Sequence, residues 1–242
     1  MLSRLLLRFC IRAKLRRAFA VGLLGVLGIL PNSSAFGEVS LTPIPPYVSG
    51  SYGQIVFDTL IGNRYYNVWM IACPGLVQEY AVMLTRKWAE GVSMNKLPFE
   101  VQLVFPDKMI YSTKPDGSAT YIDAPNKIHI TRVSADISEA DAKRFISSWF
   151  SGLSEVRYGE PHAIDTPSTL ATDGTSYYFH ASDQYDHDER YGQTYAPSDG
   201  VALVMKESGE CLVRYVKAPL KERENIMQDC RKLNDKLMEL TK

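Results

Sequence analysis

The chain has 242 residues, and its 27 lysines and arginines balance 27 aspartates and glutamates. The charges are unevenly placed: residues 1–35 hold six basic residues and no acidic one, so the remainder has 21 basic against 27 acidic residues, a net charge of −6. This mildly acidic remainder argues against nucleic acid and anionic lipid surfaces as partners, because both attract clustered lysine and arginine. About 200 residues suffice for one domain with a proper core.

Residues 1–35 have the organisation of a bacterial signal peptide. A basic segment precedes the apolar stretch 18–30, which is shorter than the roughly 20 apolar residues of a membrane-spanning helix. Small residues at 33–35 predict cleavage before Phe36, with cleavage after Gly37 as the near alternative. We therefore expect a periplasmic or secreted protein with no stable membrane span, or alternatively an inner-membrane protein anchored by an uncleaved leader.

Two further features of the leader bear on the export route. Arg16-Arg17-Ala18-Phe19 loosely resembles a twin-arginine export signal, so both the general secretory route and the twin-arginine route stay open. Cys10 lies before the apolar core rather than at its end, so it is not placed for lipid attachment.

The first part of the mature chain predicts a lead-in and then strands. Residues 36–53 are rich in proline, serine and glycine, a composition that excludes a helix or a central strand. Residues 54–59 and 65–71 are rich in β-branched and aromatic residues and predict a hairpin. Residues 76–89 fit both the helical and the strand period, and we favour a strand.

The rest of the chain predicts two helices among further strands. Ser138 is a plausible N-cap for an amphipathic helix over residues 138–152. A second apolar stripe, which includes Ile226, Cys230, Leu233 and Leu237, predicts a helix over residues 220–240. Strand-like runs cover residues 99–105, 119–123, 127–133, 175–181, 201–205 and 211–216.

These elements predict one α+β domain over residues 54–242, with a largely antiparallel sheet and the two amphipathic helices packed on it. The apolar stripe of the last helix is too short for a stable coiled coil. We therefore expect a monomer.

Three cysteines remain after cleavage, namely Cys73, Cys211 and Cys230. Cys211 begins a strand-like run and Cys230 lies on the apolar face of the last helix, so we favour a disulfide between these two, although the sequence alone leaves the pairing open. Cys-x-x-Cys is absent, which argues against thiol redox chemistry.

The mature sequence contains none of the common catalytic motifs, such as Gly-x-Ser-x-Gly, His-Glu-x-x-His or a Walker loop. Ser93 and Lys96 spell Ser-x-x-Lys, but its companion motifs are missing and we interpret it as an exposed polar turn. His129 and His162 are interpreted as polar surface residues. We therefore predict no catalytic residue and no cofactor.

The stretch 182–200 separates two predicted strands by an unusually long loop, and loops of this length are usually functional or disordered. The residues that predict a ligand-binding surface are Tyr185, Asp186, His187, Asp188, Tyr191 and Tyr195. Weak metal candidates are Asp183, Asp186, Asp188 and Glu189 for calcium, and His180, Asp183 and His187 for zinc. The simplest interpretation is a solvated loop whose charges keep it soluble.

The sequence thus favours an exported bacterial envelope protein whose role is undetermined. Its domain is expected to be a non-enzymatic binding or interaction domain that recognises an unknown envelope component through the Tyr/Asp-rich loop 182–200. The alternative is a hydrolase or metal-dependent enzyme with a site assembled around the same loop.

Overall fold

The computed structural model centres on a six-stranded antiparallel sheet. It describes residues 41, 52–62, 65–74, 77–93, 96–113, 119–121, 127–156, 174–182 and 188–242, all within one compact unit. The predicted signal peptide and most of the predicted lead-in lie outside the described residues. The strands are β1 (Val68–Pro74), β2 (Tyr80–Arg86), β3 (Phe99–Pro106), β4 (Tyr111–Thr113), β5 (Ala119–Tyr121), β6 (Ile130–Ile137), β7 (Thr175–Ser182) and β8 (Glu189–Tyr195).

The central sheet has the spatial order β6-β3-β2-β1-β7-β8, and β4 and β5 pair separately. Because neighbouring strands are antiparallel, β1, β3 and β8 begin at one end of this sheet, and β2, β6 and β7 end there. The register shows this directly: Val68 lies opposite Leu84 and Ala181, and Ser182 lies opposite Glu189. We call this end the hairpin end, since the chain passes there from β7 to β8.

Three of the helices in the described residues lie on one side of the sheet. The helices are α1 (Tyr52–Leu60), α2 (Glu139–Gly152), α3 (Gly200–Lys217) and α4 (Arg223–Leu240). The main core lies between the sheet and α2, α3 and α4, and its members include Met70, Leu84, Phe99, Phe145, Trp149, Phe179, Leu212 and Leu237. Burial of such large side chains is the main force that holds this layer on the sheet.

The other face of the sheet packs against α1. Val56 and Leu60, one helical turn apart, belong to a second core with Trp69, Ile71 and Met83. Strands β1 and β2 are consequently buried on both faces along almost their whole length. Two-sided burial removes the polar alternation of a half-exposed strand, which explains why residues 76–89 fit two periods.

The predicted fold class is confirmed. The chain is α+β, with an antiparallel sheet and the two predicted helices packed on it. Ser138 caps α2 as expected, because its hydroxyl accepts a hydrogen bond from the Asp141 amide at 3.1 Å. The last predicted helix consists of the 3₁₀ turn Leu220–Glu222 followed directly by α4. The strand favoured within 76–89 is β2.

The disulfide between Cys211 and Cys230 is also present, and it joins α3 to α4. Cys73 is a buried thiol outside the disulfide. One part of the sequence argument was wrong, however. Cys211 lies within the helix α3 rather than at the start of a strand.

The hairpin predicted from residues 54–59 and 65–71 was wrong in its first half. Residues 52–60 form α1. The second run, predicted as a strand over 65–71, forms β1, which begins and ends three residues later than predicted. The run Ile55 to Leu60 is short and largely apolar, so its composition matched a buried strand equally well. Its packing against the second face of the sheet decides in favour of a helix.

The two strands predicted over 201–205 and 211–216 were wrong, because α3 runs through both. Gly209 falls between them, where a helix is normally weakened by glycine. In the structure, a Cβ atom at Gly209 would lie 2.4 Å from Sδ of the fully buried Met70. The glycine therefore permits close contact between α3 and β1 rather than a break.

No helix in the described part of the chain is both long enough and apolar enough to cross a bilayer.

Candidate functional site

The predicted long loop 182–200 was wrong as a single loop, because residues 189–195 form β8 and pair with β7 from Ser182–Glu189 to Ser176–Tyr195. This edge strand has mixed exposure along its length, so its sequence lacks clear alternation. It also contains Gly192, where a Cβ atom would lie 2.8 Å from Cδ2 of Leu153. The absence of a side chain at position 192 therefore allows the strand to pack against the turn after α2.

The structure separates the candidate ligand-binding residues. Tyr185, Asp186 and His187 lie outside the described residues. Asp188 is exposed at the hairpin end, where its carboxylate lies 3.4 Å from the Arg190 guanidinium. Tyr195 is at the opposite end of β8, paired with Ser176. The hypothesis of one surface shared by Asp188 and Tyr195 is therefore not supported.

Tyr191 has a packing role on the face that α1 covers. Its ring centroid lies 4.7 Å from that of His180, and His180 stacks on Trp69 at 5.3 Å with an interplanar angle of 16°. Phe57 of α1 approaches Trp69 at 5.5 Å. The hydroxyl of Tyr191 donates a hydrogen bond to Glu189, so this tyrosine connects an aromatic cluster to a carboxylate at the hairpin end.

His180 has a strongly perturbed pKa. It is 4% exposed, and its Nδ1 atom is buried without a hydrogen-bond partner. Burial lowers its pKa to about 4, against a smaller opposing effect of the Glu189 carboxylate. His180 is therefore uncharged at neutral pH and belongs to the packing of the second core.

The described residues contain no group of three histidine, cysteine, aspartate or glutamate side chains arranged to hold a metal ion. Of the calcium candidates, Asp188 and Glu189 are described, and of the zinc candidates only His180 is. The remaining candidates, Asp183, Asp186 and His187, lie outside the described residues. The metal hypotheses thus stay predictions from sequence.

The other sequence candidates lie at the surface or outside the described chain. Ser93 and Lys96 are exposed, and the Lys96 amide donates to the Ser93 carbonyl at 2.9 Å, as in a turn. His129 is exposed beside β6. His162 lies outside the described residues.

Sequence reasoning missed a different feature of the hairpin end. Four large apolar side chains are exposed there: Tyr65, Trp88, Val92 and Leu220. Trp88 had matched one side of a hypothetical helix over 76–89, but it lies in the connection between β2 and β3. The only sequence signal was an aromatic residue between Lys87 and the turn residues Glu90 and Gly91.

Contacts place Tyr65, Trp88 and Leu220 at the same end, and Val92 belongs to the same connection as Trp88. The Thr85 hydroxyl, near the end of β2, donates to the Tyr65 carbonyl at 3.3 Å. Lys87, which precedes Trp88, forms an ion pair with Asp136 near the end of β6. The Tyr215 hydroxyl donates to the Asp136 carbonyl at 2.5 Å, and this connects the corner between α3 and α4, with Leu220, to the same end of the sheet.

Comparison with known proteins adds no further evidence, since no family model, curated protein or solved structure matches the chain.

Proposed function

We propose that the mature chain is a non-enzymatic binding domain of the bacterial envelope and that it engages another envelope component through the hairpin end. The observation that carries this proposal is the exposure of large apolar side chains at that end. Leu220 and Trp88 are 82% and 77% exposed, the two highest values among the large apolar residues described. Single exposed apolar residues are common, but several at one end of a molecule are typical of an interaction site.

The location in the envelope rests on the leader and on the disulfide. The basic and apolar segments of residues 1–35 support export. The Cys211–Cys230 disulfide supports an oxidising compartment, because disulfides are rare in the bacterial cytoplasm. The periplasm is therefore the proposed site of action.

The Tyr/Asp-rich segment keeps a smaller part in this proposal. Asp188 and Glu189 lie at the hairpin end and add carboxylates beside the apolar side chains. Tyr185, Asp186 and His187 stay predicted ligand-binding residues. The alternative of a hydrolase or metal-dependent enzyme would need a site completed by these residues, and no contact in the described chain favours it.

The test is binding of the purified mature protein to bacterial envelope preparations, measured by co-sedimentation. The triple variant Tyr65→Ser/Trp88→Ser/Leu220→Ser is expected to lose most of the bound fraction. A matched control, Val77→Ser/Tyr195→Ser/Leu240→Ser, removes three exposed apolar residues away from the hairpin end and is expected to bind normally. Equal losses in both variants, or no binding by the native protein, would contradict the proposal.

A further inference from the structure

The exposed apolar residues of the hairpin end come from three separate segments. Tyr65 precedes β1, Trp88 lies between β2 and β3, and Leu220 lies in the 3₁₀ turn between α3 and α4. We call these three the tip residues. They are far apart in sequence, and only the antiparallel sheet and the helix layer bring them to one end of the molecule.

The tip residues do not merge into one apolar patch. The contacts that connect the segments of Trp88 and Leu220 are polar, namely the Lys87–Asp136 ion pair and the hydrogen bond from Tyr215 to Asp136. The Arg223 guanidinium lies 5.7 Å from the Tyr215 ring centroid in the same region. A protein partner usually requires a contiguous apolar centre with few charges, so this arrangement fits a protein interface poorly.

Basic side chains stand next to the tip residues in the chain. Lys87 directly precedes Trp88, and Lys221 directly follows Leu220. Lys217, at the end of α3, is exposed one turn before Leu220. Tryptophan and tyrosine favour the boundary between lipid and water, and lysine can extend its ammonium group to the phosphates while its stem stays in an apolar layer.

We propose that the hairpin end docks onto the surface of a lipid bilayer, with the tip residues inserted at the level of the headgroups. This inference rests on the proposed function and names its partner as lipid. Acidic residues such as Glu90, Asp136 and Glu222 offset the lysines locally, so insertion of apolar side chains is the main attraction. Binding is therefore expected to be reversible and to depend only weakly on lipid charge and on salt.

The tryptophans give a selective probe of this docking. The chain has three, and Trp69 and Trp149 are 6% and 0% exposed, so a change in emission on docking reports Trp88. Addition of vesicles of phosphatidylethanolamine and phosphatidylcholine to the mature protein is expected to shift the emission to shorter wavelength. The variant Trp88→Phe should lose this shift and keep the native circular dichroism spectrum.

Co-sedimentation with the same vesicles measures the contribution of each side chain. Leu220→Ser and Trp88→Ser are each expected to lower the bound fraction severalfold, while Val77→Ser, which changes a 61% exposed residue away from the hairpin end, should leave it unchanged. An equal loss in Val77→Ser would overturn the inference. So would an emission shift that appears on concentrating the protein without vesicles, since the tip residues would then bind a second copy of the chain.

The two proposals fail separately. If the protein binds envelope preparations through the tip residues but does not bind protein-free vesicles, the envelope-binding function stands and the lipid inference is wrong. If it binds neither, both are wrong.

Discussion

The ring of His180 lies next to those of Trp69 and Tyr191, at centroid distances of 5.3 and 4.7 Å, and its buried Nδ1 atom has no hydrogen-bond partner among the described residues. A charged imidazolium would lose its hydration in this position, and for that reason burial lowers the pKa. Position in the sheet, rather than residue identity, therefore decides that His180 acts as an uncharged packing residue.

The lowered pKa of His180 predicts an acid-sensitive stability. The pKa is about 4 in the folded protein and about 6.5 in an unfolded chain, so between these values the unfolded state binds more protons. The stabilisation is complete above about pH 6.5 and is lost as the pH falls toward 4, by on the order of 2–3 kcal/mol. Urea unfolding at pH 7 and pH 4.5 measures this difference.

The variant His180→Phe keeps an aromatic ring at this position and should have a clearly smaller loss of stability between the two pH values. His129→Gln removes an exposed histidine and serves as the control, with the native pH dependence expected. An unchanged pH dependence in His180→Phe would show that other groups are responsible.

At the scale of elements, two ion pairs join α2 to α4, and they differ in burial and in hydrogen-bond geometry. Asp141 accepts two hydrogen bonds from the Arg231 guanidinium, at 2.7 and 2.9 Å, and is largely buried. Arg144 and Asp235 approach to 3.7 Å and are both about half exposed. The hydrogen bonds from Arg231 lower the pKa of Asp141, with further help from Ser138.

A pair of double-mutant cycles should separate these two contacts. For Asp141→Ala and Arg231→Ala, we expect a coupling free energy of about 1–3 kcal/mol, because bidentate, partly buried pairs are strong. For Arg144→Ala and Asp235→Ala, which join the same helices, we expect less than about 0.5 kcal/mol. Equal coupling in both cycles, measured by urea unfolding, would contradict this interpretation.

The disulfide joins α3 and α4 in a covalent loop, since Cys211 and Cys230 are 19 residues apart. Removing the cross-link increases the entropy of the unfolded chain, so Cys211→Ala/Cys230→Ala should lose on the order of 3 kcal/mol and melt at a lower temperature. Reduction of the native protein should lower the melting temperature similarly and have little effect on the double variant. The disulfide would be refuted if a thiol titration of the unfolded, unreduced native protein found that both Cys211 and Cys230 react.

At the scale of the whole molecule, the predicted leader and the domain have opposite chemical character. All six basic residues of positions 1–35 precede a domain with a net charge of −6. The domain buries both faces of its sheet, against α1 on one side and α2, α3 and α4 on the other. Four of the eight exposed large apolar side chains of the described residues lie at the hairpin end, among them the two most exposed, Leu220 and Trp88.

Export predicts a defined mature N-terminus. The intact mass of protein from the periplasmic fraction should correspond to a chain that begins at Phe36, because signal peptidases require small residues just before the cut. Ala35→Trp should block this cleavage and leave the protein associated with the membrane fraction. A native protein that retains Met1 in the soluble periplasmic fraction would contradict the predicted processing.

The local pattern of the sequence was enough to predict the elements with strong signals. The Ser138 cap and the apolar stripes of residues 138–152 and 220–240 predicted α2 and α4, and the alternation at 99–105 predicted β3. The α+β class also followed from these patterns, whereas the Cys211–Cys230 disulfide was favoured but left open by the sequence. These elements could be predicted because the spacing of apolar residues along each segment matches the period of the helix or strand that it forms.

Only the tertiary structure decided α1, α3, β8 and the surface at the hairpin end. Gly209 lies within α3 and Gly192 within β8, and at both positions a side chain from another element occupies the space that a Cβ atom would need. The tip residues Tyr65, Trp88 and Leu220 come together through strand pairing and helix packing between distant segments. Local periodicity determined the main elements, and contacts between distant segments decided where the exposed surface lies.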